Sequence, residues 1–182
     1  MRIIAGSAKG KVIKCRDGFD TRPTTDRVKE SLFSIIAPYI GDARVLDLFS
    51  GTGNLALEAI SRGAKKAVMI EKDKDALRII IQNVNNLGFE ECCRAYKNET
   101  LRALDILGKK REQFDLIFLD PPYKDNVCTK VIKKIEEAGI LAEGGLIIAE
   151  HHILEDMEET IGEFKKADER RYGKKELSFY TR

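Results

Sequence analysis

Hydrophobic positions follow two alternating spacings between Arg44 and Glu150. Short, almost continuous apolar runs, typical of strands covered on both faces, are separated by segments in which apolar residues recur every three or four positions, as on one face of a helix. A helix is predicted after each of the first four runs. The runs themselves predict strands at 45–48, 67–70, 94–96, 114–119 and 145–150. Alternating strands and helices predict an α/β fold with a doubly wound (Rossmann-like), mostly parallel sheet.

The two ends of the chain predict further elements around this repeat. Residues 2–15 predict a short β-hairpin closed by a glycine-rich turn, and the spacing that follows predicts a helix from about Asp26 to Ala37. At the other end, 154–161 predicts a short acidic helix, and 164–181 predicts a two-stranded hairpin. This hairpin brings the predicted sheet to seven strands, with an antiparallel end.

The composition limits the class of protein. A chain of 182 residues, 43% hydrophobic and 34% charged, is typical of a folded globular protein, and no apolar run is long enough to span a bilayer. We expect an amino-terminal extension over 1–40 and a main domain over 41–182. The four cysteines form no Cys-x-x-Cys pair and are expected to be reduced, in a cytoplasmic protein.

Charge is distributed unevenly along the chain. Residues 1–40 carry eight Lys or Arg against four acids, and 165–182 carry seven against three. Between them, 150–163 holds six acids and no Lys or Arg. Basic ends are typical of proteins that contact a polyanion, although solvated charged faces produce the same pattern.

The first predicted strand ends in a glycine turn that indicates a nucleoside-like ligand. Gly51 and Gly53 form a Gly-x-Gly-x-x-Ala turn between strand and helix, and Glu71, at the end of the second strand, can accept hydrogen bonds from ribose hydroxyls. Asp47 adds a carboxylate that would repel a pyrophosphate and attract the cationic amino acid group of S-adenosylmethionine. The turn by itself does not identify the ligand, because the same glycines also permit an ordinary tight turn.

The sequence Asp-Pro-Pro-Tyr follows the fourth predicted strand. Pro121 and Pro122 cannot extend a strand, so Asp120 and Tyr123 are held at the carboxyl edge of the sheet, where ligands of open α/β sheets bind. The Asp120 carboxylate and the Pro121 carbonyl can each accept one N–H of an exocyclic amine, which directs its lone pair toward an electrophilic methyl group. Tyr123 can stack on the base. These residues predict methylation of a nucleobase amine.

With these motifs in place, the chain resembles the RsmD family of class I S-adenosylmethionine-dependent methyltransferases over essentially its whole length. The resemblance implies methyl transfer to the N2 amine of one guanine in 16S ribosomal RNA, guanine 966 by the family's convention, within the small ribosomal subunit or its assembly intermediate. The segments that carry it are RIIAGSAKGK at 2–11, RPTTDRVKESLF at 22–33, LDLFSGTGNLALEA at 46–59, IEKD at 70–73, DPPY at 120–123 and RRYGKKELSFY at 170–180.

The resemblance also implies roles for individual residues. An acid after the third strand would contact the adenine of S-adenosylmethionine. Here Glu99 would replace the family's more usual Asp or Asn, with Asn98 as its neighbour, and which of the two contacts the adenine stays open. The product would be S-adenosylhomocysteine. The cofactor site would be lined by Asp47, Phe49, Gly51, Gly53 and Glu71, the target guanine would be held by Asp120 to Tyr123, and Arg22, Thr24 and Arg27 would lie on the RNA side.

Three alternatives compete with this interpretation. A DNA adenine-N6 methyltransferase also uses Asp-Pro-Pro-Tyr, but it usually carries a target-recognition domain for which this chain has no room. A nicotinamide-dependent oxidoreductase would need a substrate domain and a proton donor. A non-catalytic RNA-binding assembly protein is disfavoured by the intact Asp120 and Tyr123. We expect the protein to be a monomer. We also expect it to bind no metal, because His151 and His152 have no third ligand at a recognisable spacing.

Overall fold

A computed structural model describes residues 1–15, 26–122 and 127–182. No helix within these ranges is long and apolar enough to cross a membrane. A short 3₁₀ helix, Ala37–Tyr39, follows the first α-helix. The α-helices are α1 (Asp26–Ile35), α2 (Asn54–Ser61), α3 (Lys74–Leu87), α4 (Thr100–Lys109) and α5 (Val127–Ala138). The strands are β1 (Arg44–Asp47), β2 (Lys66–Glu71), β3 (Cys93–Lys97), β4 (Phe114–Leu119), β5 (Leu141–His152), β6 (Thr160–Ile161), β7 (Phe164–Tyr172) and β8 (Lys175–Thr181).

The described strands form one sheet in the order β3-β2-β1-β4-β5-β8-β7-β6. The first five are parallel, and β8, β7 and β6 continue the sheet with antiparallel pairs. The predicted doubly wound, mostly parallel α/β fold is confirmed, with β6 as an eighth strand that the sequence did not indicate. Chain order reverses between β1 and β4, and this switch point opens a crevice at the carboxyl ends of the strands.

Helices cover both faces of the sheet. On one face α1, α2 and α3 enclose a core that includes Phe33 and Phe118, whose ring centroids are 6.1 Å apart. On the other face α4 and α5 pack against the alternate side chains of the same strands. Strands covered in this way need apolar residues at successive positions, which explains the nearly continuous apolar runs.

The predicted hairpin over 2–15 contains a single antiparallel bridge, between Arg2 and Val12. On either side of this bridge, Ile3 N donates to Lys11 O and Ile13 N donates to Met1 O, each at 2.9 Å, so the two arms of the hairpin bond to each other. Other backbone groups of the segment bond to side chains of α2 and α3. Lys14 N, for example, donates to Asn83 Oδ1 at 2.8 Å. The segment is therefore a short hairpin, as predicted, that is fastened to the helices, and its Ile3 and Ile13 are buried in the same core as the sheet.

A buried carboxylate makes the main connection between this segment and α2. Glu58 accepts from Ile4 N at 2.8 Å and from Ala5 N at 3.0 Å. It also pairs with Lys29 Nζ at 3.1 Å and with Arg62 Nε at 2.7 Å. Because Glu58 and Lys29 are both almost completely buried, the Glu58 carboxylate joins the amino-terminal segment, α1 and α2 through bonds that water does not weaken.

The predicted helix over 154–161 is wrong. The chain there is a turn followed by β6, and its carbonyl groups bond to the neighbouring strands. Tyr180 Oη donates to Glu158 O at 2.6 Å, and Lys166 N donates to Glu159 O at 2.8 Å. Antiparallel pairing of Thr160 with Lys165 and of Ile161 with Phe164 holds the end of this segment as a strand, which excludes a helix that continues to residue 161.

Candidate active site

Carboxylates gather along the carboxyl edge of the parallel strands. Asp47 is the last residue of β1, Glu71 is the last residue of β2, and Asp120 follows β4 directly. Since β2, β1 and β4 are neighbours, these acids from distant parts of the chain lie side by side. The strand ends at Leu119 as the two prolines predicted, with Pro121 buried and Pro122 exposed.

The glycine turn leaves open space above β1. Gly53 is the residue before α2, and its φ of 81° favours glycine; a Cβ there would also lie 3.2 Å from Leu57 Cδ1 and Met69 Sδ, which would have to shift slightly. Gly51 also has a positive φ, 54°, but a Cβ added to it would meet nothing within 4 Å. The backbone at Gly51 is thus exposed to a space that a ligand can occupy.

Glu71 is fixed beside this turn by two backbone donors. Gly51 N donates to Glu71 Oε2 and Asp73 N donates to Glu71 Oε1, each at 2.9 Å. Asp73 in turn caps α3 by accepting from Asp75 N and Ala76 N. A carboxylate oxygen has two acceptor sites, so both oxygens of Glu71 can still bind hydroxyl groups.

Burial makes Asp47 and Asp120 weaker acids than usual. It raises the pKa of Asp47 to about 7, with the charge of Glu71 adding to the effect and a 3.4 Å hydrogen bond from Phe49 N opposing it. Burial also raises the pKa of Asp120 to about 8; the charges of Glu150 and Asp47 raise it further, and that of Lys175 lowers it. A cation beside either carboxylate would stabilise its charged form.

The remaining predicted site residues lie around this edge. Asn98 N donates to Glu71 O at 3.1 Å, and Asn98 Oδ1 accepts from Glu99 N at 3.0 Å, so both residues follow β3 close to Glu71. Glu99 is exposed at the start of α4. Phe49 is half-buried against the core under α4 and α5. Arg27 is exposed in the first turn of α1.

Predictions for three residues fall outside the described part of the chain. They are Arg22, Thr24 and Tyr123.

Sequence reasoning missed two charged residues at this edge, Glu150 and Lys175. They form an ion pair between β5 and β8, and Glu150 is buried. A glutamate that follows an apolar strand was a visible signal, because buried acids require a partner. The partner could not be found in the sequence, since it lies 25 residues away.

His151 is surrounded by acids in a way that the sequence did not show. Its ring lies within 4.8 Å of carboxylate oxygens of Glu169 and Glu176. Both ring nitrogens already have hydrogen-bonding neighbours, since Nε2 is 2.8 Å from Ser178 Oγ and Nδ1 is 3.1 Å from His152 O. The histidine thus links β5 to β8 within the sheet. That the protein uses no metal stays a prediction.

Comparison with known proteins connects this chain to one family. The sequence model of the family described as Conserved hypothetical protein 95 matches residues 1–181. A protein of Bacillus subtilis named "Putative rRNA methyltransferase YlbH" is 38% identical over 182 residues, covering 100% of this chain and 99% of its own. "Ribosomal RNA small subunit methyltransferase D" of Escherichia coli is 37% identical over 153 residues, covering 84% of this chain and 75% of its own.

Solved structures share the fold. One named "Putative methyltransferase yhhF from Escherichia coli" has a TM-score of 0.89 at 33% identity and covers 100% of this chain and 97% of its own. A more distant methyltransferase, complexed with SAH, has a TM-score of 0.65 at 16% identity and covers 81% of this chain and 48% of its own, which shows the fold alone.

The fold, which the chain shares with a methyltransferase structure at 33% identity, defines the methyltransferase class of Rossmann-like α/β proteins. Within that class, the chain belongs to the family described as Conserved hypothetical protein 95, which is the RsmD family.

Proposed function

We propose that this protein transfers a methyl group from S-adenosylmethionine to the exocyclic N2 amine of one guanine in 16S ribosomal RNA, at position 966 by resemblance. The observation that supports it best is the placement of Asp47 and Asp120 at the carboxyl ends of the adjacent strands β1 and β4, with Asp120 directly after β4. A donor held over β1 faces an amine held at the end of β4. The names of two relatives, one referring to rRNA and the other to rRNA of the small subunit, support the same substrate.

Residues of β1, β2 and β3 would hold the cofactor. Bound S-adenosylmethionine supplies an electrophilic methyl group on a sulfonium sulfur. Glu71 accepts hydrogen bonds from the ribose hydroxyls, and the open space at Gly51 lets the ligand approach the backbone. Asp47 attracts the positive charge of the methionine part. Asn98 or Glu99, next to Glu71, contacts the adenine.

Asp120 and Pro121 would position the acceptor amine. A guanine N2 amine is a poor nucleophile because its lone pair is delocalised into the ring. Accepting its two N–H groups with the Asp120 carboxylate and the Pro121 carbonyl directs the lone pair toward the methyl group. As the N–C bond forms, the amine becomes acidic. Asp120, with its raised pKa, is suited to take the proton that the amine loses.

The RNA would approach the same edge from the side of the amino-terminal extension. We assign the extension to 1–40 and the methyltransferase domain to 41–182, with Arg22, Thr24 and Arg27 facing the RNA and Tyr123 stacked on the base. Arginine binds phosphate through two parallel hydrogen bonds. A base inside a stack cannot reach Asp120, so the target guanine is turned out of its helix.

Transfer of a labelled methyl group tests this function. The acceptors are small ribosomal subunits from Escherichia coli lacking its related methyltransferase, naked 16S rRNA and duplex DNA. We expect label in the subunits with wild-type protein and none with Asp120→Asn, which should still bind S-adenosylmethionine. Label in DNA alone would move the protein to the adenine methyltransferases. Cofactor binding without transfer to any acceptor would contradict the proposal.

A further inference from the structure

Four charged side chains form a row along the carboxyl edge. The strands β1, β4, β5 and β8 are consecutive neighbours in the sheet. Each contributes one member of what we call the charged row: Asp47, Asp120, Glu150 and Lys175. The register brings the end of β4 beside Glu150, because Leu119 pairs with Ala149.

The charged row lies on one face of the sheet. Side chains two residues apart along a strand point to the same face. The four apolar residues two positions from the members of the row all belong to the core beneath α1, α2 and α3: Val45, Phe118, Ile148 and Leu177. Burial has the largest effect on the pKa of Asp120, but Glu150 and Asp47 also raise it and Lys175 lowers it. These effects agree with the four side chains lying close together.

The last two members of the row are an ion pair. Lys175 Nζ donates to Glu150 Oε1. The Glu150 side chain is 3% exposed, whereas Lys175 is 23% exposed and Asp120 is half-buried. A flat base whose edge extends from Asp120 to Lys175 would therefore pass over the Glu150 carboxylate. Water competes little for a hydrogen bond at such a place.

We propose that Glu150 and Lys175 select guanine by binding the part of its Watson–Crick edge that Asp120 leaves free; this inference rests on the proposed methylation of a guanine amine. Along that edge guanine presents N2–H, N1–H and O6, which are donor, donor and acceptor. The row from Asp120 to Lys175 presents carboxylate, carboxylate and ammonium, which are acceptor, acceptor and donor. Glu150 accepts from N1–H, and Lys175 donates to O6.

The same arrangement rejects the other bases that carry an exocyclic amine. In adenine and cytosine the ring nitrogen beside the amine is an acceptor without a hydrogen. It would face the Glu150 carboxylate lone pair to lone pair, in a place from which water is excluded. Sites built to bind a donor discriminate strongly against a ligand that lacks it, because their own polar group is left unpaired.

A purely structural role makes a different prediction. If Lys175 only neutralises the buried Glu150, breaking the pair lowers stability and leaves the choice of base unchanged. Base preference therefore separates the two roles, and a competition experiment measures it directly.

The experiment uses the full chain with two kinds of small subunit, one with guanine and one with adenine at the target position, mixed in equal amounts. The variants are Glu150→Gln, whose carboxamide can accept or donate, and Lys175→Met, which keeps the length and removes the donor. Matched controls are Glu143→Gln on β5 and Lys65→Met before β2, both exposed and remote from the carboxyl edge. Cofactor binding and thermal melting are measured for each variant.

We expect Glu150→Gln and Lys175→Met to lower the preference for guanine over adenine by about ten- to a hundredfold, as loss of a charged hydrogen bond predicts. The controls should keep the wild-type preference. An unchanged preference in both variants, with or without a slower rate, would overturn the proposal. If Glu150→Gln fails to fold, Lys175→Met decides by itself. Wild-type protein that methylates neither subunit would instead refute the function proposed above.

Discussion

At the scale of single residues, Asp120 connects burial to the pH dependence of the reaction. Its carboxylate must be charged to accept an amine N–H, and its pKa in the free protein is raised to about 8. We therefore expect kcat/KM to rise about tenfold per pH unit below that value and to level off above it. Steady-state rates on small subunits between pH 6 and pH 9.5 measure this.

Asp120→Asn is the control for this profile. An amide does not titrate in the range, so the variant, which we expect to be inactive on small subunits, should show no rise in activity at any pH between 6 and 9.5. A wild-type profile that is flat from pH 6 to pH 9 would contradict the assigned role of the carboxylate.

The charged form of Asp47 should favour cofactor binding but lower the stability of the folded protein, because burial raises the pKa of this carboxyl group. Its pKa is raised from 3.8 to about 7 by folding, so the folded state retains a proton that the unfolded state releases. Wild-type stability should therefore fall as the pH rises between those values, by at most about 1.4 kcal/mol per unit. Asp47→Asn lacks this loss.

Melting of both proteins at pH 5, 6, 7 and 8 tests the prediction. The advantage of Asp47→Asn should grow up to about pH 7 and then stay constant, while S-adenosylmethionine binds the variant more weakly. A difference in melting temperature that is independent of pH would contradict it.

At the scale of elements, the amino-terminal segment depends on one close backbone contact with α2. A Cβ on Gly6 would lie 1.7 Å from Ser61 O, whereas one on Gly10 would meet nothing within 4 Å. Both glycines have a positive φ, 84° and 81°. Gly10→Ala should lower the free energy of unfolding by about 1 kcal/mol through backbone strain alone. Gly6→Ala should lower it several times more, because the new Cβ would also collide with Ser61 O.

Urea unfolding of the two variants measures this difference. Ser7 N donates to Ser61 O at 2.7 Å, and this bond should be lost in Gly6→Ala with faster exchange of the Ser7 amide. Equal free energies of unfolding for Gly6→Ala and Gly10→Ala would contradict the close contact between Gly6 and the backbone of α2.

Glu58 should be the most costly charged residue to replace on this side of the sheet. Glu58→Gln leaves the buried Lys29 without an anionic partner, and removing one member of a buried pair costs about 3–5 kcal/mol. Glu30→Gln, on the exposed side of α1, should change the free energy of unfolding by less than about 0.5 kcal/mol. Similar urea midpoints for Glu58→Gln and Glu30→Gln would contradict the view that the Glu58 carboxylate stabilises the contact between the amino-terminal segment, α1 and α2.

At the scale of the whole molecule, local patterns predicted the fold better than the site. The apolar runs and the helical spacing between them are set by neighbours in the sequence, and they predicted the parallel strands and the helices that follow them. The helix predicted at 154–161 failed because Thr160 and Ile161 pair with β7 and extend the sheet as β6. The Glu150–Lys175 pair was missed for a related reason, since it depends on how β8 pairs with β5.

The proposed reaction modifies one atom, N2, of one guanine in 16S rRNA. Nucleoside mass spectrometry of 16S rRNA from subunits treated with the wild-type protein and S-adenosylmethionine identifies the methylated nucleoside, and analysis of fragments gives its position. The account predicts N2-methylguanosine at a single position, absent after treatment with Asp120→Asn. Methyl groups on adenine N6, or on several unrelated guanines, would contradict it.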